Sequence, residues 1–389
     1  MLKTAARITA LALLAGCGHS AVPGTPPVPG AQARANARVT ATLGAEQNVI
    51  PRREWGTRYV PDERMTYYTA ADGTSYLWMA GGTTASAGET IAMTTDFAHV
   101  KPRILKGGRA VASLFPNHPG SSAPDADYAG PGSVFRAKNG RDLLMIYHGE
   151  NHTFNGVETN DEFYATICLA RSSDNGLSWR REGAIVTGMQ PKPSGTPPRA
   201  AMGAGNPSAI IAGGYIYVFY VNLGYDTGPD QTHVARAPIG SDGRPGTWRK
   251  WYAGSFSQPG IGGKSTPVMA RAAPADKTVW AANGIVSYDT YLHAYLNVFQ
   301  TAIGFYYATS PDLLHWRIRG QLFAFGYDED SPKRGQRWYS YPSFFSPEYA
   351  NDRTTGRTGY LYYAKARWAI EPHTMYRRRL DFNESKQTL

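Results

Sequence analysis

The stretch Ser172–Trp179 reads SSDNGLSW, and its echoes along the chain decide the fold. It holds a serine, an aspartate two places on, a glycine two further and a closing tryptophan. Ser172 and Asp174 can hydrogen-bond backbone amides, Gly176 can take a positive φ, and Trp179 can pack between sheets. An aspartate also follows a strand-like run in MTTDFAHV (Asp96), IGSDGRPGTW (Asp242), TSPDLLHW (Asp312) and RRRLDF (Asp381). These aspartates fall at 96, 174, 242, 312 and 381, with gaps of 78, 68, 70 and 69 residues. A second landmark keeps the same period. Apolar, aromatic runs begin at Ser75 (SYLWMAG), Asp142 (DLLMIYHG), Tyr215 (YIYVFYV), Tyr291 (YLHAYLNVF) and Tyr360 (YLYYAKA). Two landmarks in phase signal structural repeats.

Each repeat reads as four strands, A to D. Strand A often starts after Pro or Gly, as in GPGSVFRA, GNPSAII and YPSFFS; B is the apolar run, C precedes the aspartate, and D follows it (WRREGAIV, HWRIRGQLF). The chain has 25 Tyr, 42 Gly and 27 Pro, and no long stretch sustains a helical apolar period, so an all-β fold is expected. Repeated four-stranded antiparallel units fit a β-propeller, here with five blades. The last repeat stops soon after its C strand. Its missing D strand is expected from the N-terminal side, around NVIPRREW (Asn48–Trp55), which would close the ring. The propeller is then expected over 48–389.

The first residues are an address. MLKTAARITALALLAGC has a basic start, a short apolar run and small residues before a cysteine, the marks of a signal peptide over 1–16. LAGC (Leu14–Cys17) resembles the bacterial lipobox. That resemblance implies cleavage before Cys17, lipid on its thiol and new amine, and, with Gly18 following, anchoring in the outer membrane of the cell envelope. Residues 17–47, rich in Pro, Gly and Ala, read as a flexible tether. The net charge is +10, and two of the cations, Lys3 and Arg7, fall in the leader. The basic balance is a mild bias towards acidic partners. Nucleic acid is not expected, because no basic block exceeds YRRRL (Tyr376–Leu380) and no binding motif accompanies it. Cys168, inside YATICLA, reads as a small buried hydrophobe, which leaves no internal disulfide. A monomer without a cofactor is expected, with room for a structural cation in a central channel.

The repeats, the SxDxGxxW turn and ATSPDLLHW together resemble the five-bladed glycoside hydrolases related to families 43, 32 and 117. SSDNGLSW is also similar to the Asp box of the six-bladed sialidases. The resemblance implies activity on an oligo- or polysaccharide, at a site where the A strands begin around the axis.

Topology sorts the candidates. In a blade that meanders, the A–B and C–D turns share one rim, and the starts of A and ends of B share the other. Asp96, Asp174, Asp242 and Asp312 then lie on the rim away from the site, as does Asp289 in the A–B hairpin SYDTY. The site rim holds YHGENHTFNGVETNDEF (Tyr147–Phe163), a long polar loop with His148, Glu150, His152, Glu158, Asp161 and Glu162. It also holds APDADYAGPG (Asp125, Asp127), VPDERM (Asp62, Glu63, Arg64) and GYDEDSPKRGQRWYSYP (Asp328, Asp330, Arg337, Trp338, Tyr341). Glycoside hydrolysis needs two carboxyl groups, one donating a proton and one attacking or activating water. The expected catalytic residues are Glu150, Asp127 and Asp62. Glu150, nearest its strand end, is the expected donor, with an aspartate across the funnel as its partner. Trp338, Tyr339 and Tyr341 can stack on sugar faces, and His148, Asn206 and Arg337 can bind hydroxyls or a carboxylate. His148, Glu150 and His152 can also be read as metal ligands, although structural or sugar-contacting roles fit them better, and no metal is expected. The chain departs from family 43, which begins strand A with Asp-Pro. Here the comparable starts carry Asn206, Asn283 and Tyr341, so the family's catalytic triad does not transfer. A propeller that binds glycan or protein without cutting it is the alternative expectation.

Overall fold

The computed structural model describes residues 38–51, 54–82, 89–159, 162–195, 201–223, 231–269, 282–301, 303–325, 337–367 and 372–385. Among these residues the structure is strand and turn, apart from two 3-10 turns at Glu54–Gly56 and Ile239–Ser241.

The strands pair antiparallel within each repeat. The first unit is Thr66–Thr69, Ser75–Gly81 and Glu89–Thr95, edged by a broken outer strand, Val100–Pro102 with Ala112–Leu114. The second is Tyr128–Arg136, Leu143–Asn151, Tyr164–Ser172 and Arg180–Thr187. The third is Met202–Ala212, Tyr215–Leu223, Thr232–Pro238 and Arg249–Tyr252. The fourth is Ala282–Asp289, Ala294–Thr301, Gly304–Ser310 and Arg317–Ala324. The fifth is Trp338–Phe345, Thr358–Ala366 and Thr374–Ser385, and its outer strand comes from the other end of the sequence, Arg38–Asn48.

The two ends of the fold therefore pair, from Val39 opposite Glu384 to Asn48 opposite Tyr376. This corrects the expected position of the closing strand, which was Asn48–Trp55, and the expected tether, which reached residue 47. Among the described residues after Asn48, Val49 and Ile50 add backbone bonds to this unit, both to Met375 O, at 2.9 and 3.3 Å. The reason is a weak alternation. Val39, Ala41 and Leu43 face inward and Thr40 and Thr42 outward, but residues this small look like a continuation of the Ala-rich tether.

Adjacent units are stitched along their A strands. Thr66 Oγ1 accepts the amide of Val134 (3.0 Å), Ser133 Oγ that of Ala209 (2.9 Å) and Ser208 Oγ that of Val286 (2.9 Å). The amide of Tyr288 donates to Arg353 O at 2.8 Å, and Ser343 Oγ accepts the amide of Met65 at 2.9 Å, so the fifth unit meets the first. Apolar layers lie at the same boundaries. Trp78, Met145 and Trp179 pack between units one and two, and Ile146, Ile185 and Val218 between two and three. Tyr217, Phe219 and Tyr295 fill the space between three and four, while Leu296, Phe305, Tyr363 and Met79 join four, five and one. At the centre the buried Arg64 guanidinium donates to Pro207 O (2.5 Å) and Ser133 Oγ (3.3 Å) and stands 3.6 Å from buried Asp352.

SSDNGLSW is a turn of the expected kind. Ser172 Oγ accepts the amide of Gly176 (2.8 Å), and Asp174 Oδ1 accepts that of Ser178 (3.0 Å). Gly176 has φ +75°, and a Cβ there would sit 2.3 Å from Trp78 Cζ2. Asp96 and Asp312 likewise accept two amides each, from Ala98 and His99 and from Leu314 and His315. Asp289 is buried and accepts the amides of Tyr291 and Leu292. Asp242 ties two units together, accepting from the Lys138 amide (2.9 Å) and from Arg171 (3.0 Å). Asp381 departs from the expected pattern: it lies inside the strand Thr374–Ser385, opposite Thr42. The closing strand continues the pairing past the point where the other repeats turn.

Candidate active site

The A strands of the third, fourth and fifth units share a defect at their starts. Asn206, Asn283 and Tyr341 have φ of +52°, +48° and +58°, and strand register slips beside each. A left-handed residue at a register slip is a β-bulge, which re-aims side chains. For a residue as large as tyrosine this conformation costs about 1–2 kcal/mol and persists only where neighbours impose it. Those neighbours are visible. His148 Nδ1 accepts the amide of Asn206 at 2.9 Å, and Gln300 Oε1 accepts the amide of Tyr341 at 3.1 Å. In both cases a side chain near the end of one unit's B strand clamps the bulge of the next unit.

The clamped residues meet three carboxyl groups. Asp62 and Glu63 lie just before strand A of the first unit, and Glu150 lies near the end of strand B of the second. Glu63 is buried; both its oxygens accept from Asn206 Nδ2 (3.1 and 3.0 Å), and one accepts the Arg64 amide at 3.1 Å. Glu150 is held between two imidazoles: Oε2 is 2.8 Å from His152 Nε2, and Oε1 is 3.0 Å from His148 Nε2. The first is a hydrogen bond, whereas the second is close but off the hydrogen-bond line, so Nε2 of His148 lacks a well-directed acceptor. Because Nδ1 of His148 already accepts an amide, its neutral tautomer carries the proton on Nε2, facing Glu150. Asp62 is 12% exposed, with His373 Nε2 3.6 Å from its Oδ1, and Tyr128 OH donates to its backbone carbonyl.

Surroundings drive these carboxyls apart. Burial, then the charges of Glu150 and Glu63, hold the Asp62 pKa well above the carboxylate range, against the opposing bond from Tyr341. Glu150 is also penalised by burial, but the close approach of His148, the hydrogen bond from His152 and the charges of those rings outweigh it and lower its pKa. Burial opposes charge on both imidazoles, and Glu150 overcomes it, so both are raised. Glu63 is raised by burial, with His148, Asn206 and Arg64 resisting. The two carboxyls are thus pushed in opposite directions, Asp62 towards the protonated form and Glu150 towards the ionised one.

The remaining candidates divide. Tyr341 reaches the cluster, its ring 5.9 Å from Trp338, and Trp338 in turn lies 5.2 Å from the His373 ring. Asp127 is buried one layer behind, where Oδ2 accepts the His152 amide at 2.8 Å. Asp125 is a structural pin, accepting from Tyr147 OH (2.8 Å) and Arg181 Nε (2.6 Å). Glu158 is exposed, Glu162 is half-buried, and Arg337 is exposed at the start of the fifth A strand. Asp161, Asp328, Asp330 and Cys17 lie outside the described residues. Among the described residues no group of three or more His, Cys, Asp or Glu is arranged to hold a metal ion. Tyr128, His373 and Gln300 were not singled out in the sequence. Their signal was positional: Tyr128 starts an A strand, Gln300 lies near the end of a B strand and His373 precedes a C strand, all on one rim.

Neither a protein-family profile nor a curated protein sequence matches the chain. Solved structures do. BT0996, solved as an RGII complex, aligns with TM-score 0.54 and 13% identity over 90% of this protein and 93% of that one. Zg3597, a family 117 glycoside hydrolase of the marine bacterium Zobellia galactanivorans, aligns with TM-score 0.51 and 12% identity, covering 90% and 91%. Another solved structure, described only as a glycoside hydrolase, aligns with TM-score 0.54 and 12% identity, covering 90% and 93%. The fold is shared with propeller-type glycoside hydrolases. At these identities the likeness concerns the fold; chemistry has to come from the site.

Proposed function

We propose that the chain is a glycoside hydrolase on a closed five-bladed propeller, with Asp62 as proton donor and Glu150 as the ionised partner. The opposite displacement of these two carboxyls within one cluster carries the reading. Asp62, kept protonated, donates to the glycosidic oxygen, and Glu150 attacks the anomeric carbon or activates water. As Asp62 ionises, the Tyr341 bond stabilises the new charge. His148 and His152 keep Glu150 anionic, and Asp127 positions His152. These roles reverse the sequence expectation, which made Glu150 the donor from its place at a strand end. The two imidazoles on its oxygens favour the anion instead. The five stitched units and the pairing of Arg38–Asn48 with the last strand support ring closure. An oligo- or polysaccharide is the substrate class, with Trp338 and Tyr341 as stacking surfaces.

A product screen of the wild type and of Asp62→Asn and Glu150→Gln variants against plant and bacterial polysaccharides tests this. Product released by the wild type and lost in both variants is expected. Saturable glycan binding without any product would replace the enzyme by the binding-only reading. The lipid anchor on Cys17 is a companion proposal supported by LAGC; metabolic labelling with palmitate should be lost in Cys17→Ser.

A further inference from the structure

Asp62 stands in a bend before strand A of the first unit, outside any strand that would fix its backbone. A proton donor has to be aimed, because a misplacement of about 1 Å can cost roughly a hundredfold in rate. Neighbours from three units do the holding. The Asp62 amide donates to Ala80 O of the first unit at 3.1 Å. The Asp62 carbonyl accepts from the phenol of Tyr128, which starts strand A of the second unit. The carbonyl one residue earlier, Pro61 O, is 2.9 Å from Nε2 of His373, which precedes strand C of the fifth unit. A carbonyl only accepts, so Nε2 carries the proton in that bond.

Both donors are built into the fold. Tyr128 and His373 are each 4% exposed. A Cβ on Gly130 would sit 2.5 Å from Cε1 of Tyr128, so that glycine leaves the space the ring fills. The Tyr128 ring meets the His148 ring edge-on at 5.6 Å, and His148 is the imidazole 3.0 Å from Glu150 Oε1. One side chain thus touches both the backbone of the proposed acid and the ring that faces its ionised partner. The His373 ring lies among Tyr59, Trp338 and Tyr341, at centroid distances of 5.4, 5.2 and 6.2 Å. Tyr341 also bonds the Asp62 carboxyl. The seams between units run elsewhere, through Thr66, Ser133, Ser208 and Ser343.

We propose that Tyr128 and His373 are positioning residues for the proton donor: by gripping two successive carbonyls, they aim the Asp62 carboxyl at the glycosidic oxygen. The inference rests on the glycosidase reading with Asp62 as the acid. Its test is leaving-group dependence in the full chain, since a donor out of place matters most when the leaving group is poor. Tyr128→Phe removes only a hydroxyl. His373→Phe removes the donor and keeps a ring, whereas His373→Gln keeps an N–H near the place of Nε2. Dinitrophenyl and phenyl glycosides of the sugar found in the product screen serve as good and poor leaving groups. Rates are taken per folded molecule, with circular dichroism giving the folded fraction. In both Phe variants kcat falls roughly tenfold on the phenyl glycoside and less than about threefold on the dinitrophenyl one. KM stays within about twofold, and His373→Gln recovers most of the loss. A merely structural role lowers the melting temperature and leaves the ratio of the two rates as in the wild type. An unchanged ratio in both Phe variants, where Asp62→Asn does change it, overturns the positioning role alone. A ratio unchanged in Asp62→Asn as well overturns the acid assignment and the positioning role with it. A wild type that releases no product from any glycan overturns the enzyme reading and everything resting on it.

Discussion

Glu63 should set the alkaline limit of activity without touching substrate. Its charge is one of the causes that raise the Asp62 pKa, after burial and Glu150. Asp62 works protonated, so activity is present below its raised pKa and lost as pH rises through it. Glu63→Gln removes a negative charge and lowers that pKa, so the alkaline limb moves to lower pH. For scale, two unit charges about 4 Å apart at an effective dielectric of ~20 interact by about 4 kcal/mol, so a nearby carboxylate can move a pKa by on the order of one to a few pK units. Glu63 is itself raised by burial and shares its charge with Asn206 and Arg64, so a shift of about one unit is expected. The geometry should survive, because a glutamine carbonyl still accepts from Asn206 Nδ2, which now donates to both Glu63 oxygens. The acid limb should move less, since Glu63 is not among the main causes acting on Glu150 and reaches it only through His148. The assay is kcat/KM for an aryl glycoside against pH, with thermal melting as a check on folding. An alkaline limb that stays put or moves up in a well-folded variant would refute the electrostatic argument.

Three further outcomes follow from the same geometry. His152→Phe strips one bond and one charge from Glu150, whose pKa then rises; the acid limb of kcat/KM should move to higher pH, and an unmoved limb would count against Glu150 as the ionised group. Gly176→Ala forces a side chain into a left-handed turn and into Trp78, for about 2–4 kcal/mol of stability. Gly140→Ala, also at positive φ but with nothing within 4 Å, should lose only about 1 kcal/mol; equal melting losses would show that the Trp78 contact contributes nothing. A variant starting at Val49 loses the strand Arg38–Asn48 and should unfold at a markedly lower temperature than the full chain, with unchanged melting contradicting closure.

Much of the fold was legible because its signals were local and repeated. The strand runs and the Asp174, Asp96 and Asp312 turns depend on neighbours a few residues away, and their period exposes them. The closing strand was placed too late because Val39, Ala41 and Leu43 present little apolar bulk. For the site, position on a rim could be read and electrostatics could not. Asp62 and Glu150 stand 88 positions apart in the sequence, and which one keeps its proton depends on His148, His152 and Glu63 meeting in space. Asn206 and Tyr341 stood out as departures from a familiar pattern. Their left-handed backbone, which brings them to the carboxyls, has no sequence signature in Asn-Pro or Tyr-Pro.

The central claim is the assignment of the acid to Asp62 and the ionised partner to Glu150. Aryl glycosides with good and poor leaving groups, turned over by Asp62→Asn and Glu150→Gln, test it most directly. A good leaving group needs little protonation, so Asp62→Asn should retain most activity on it and lose the poor one, while Glu150→Gln should lose both. Survival of Glu150→Gln on the activated substrate, with Asp62→Asn inactive on both, would contradict the account.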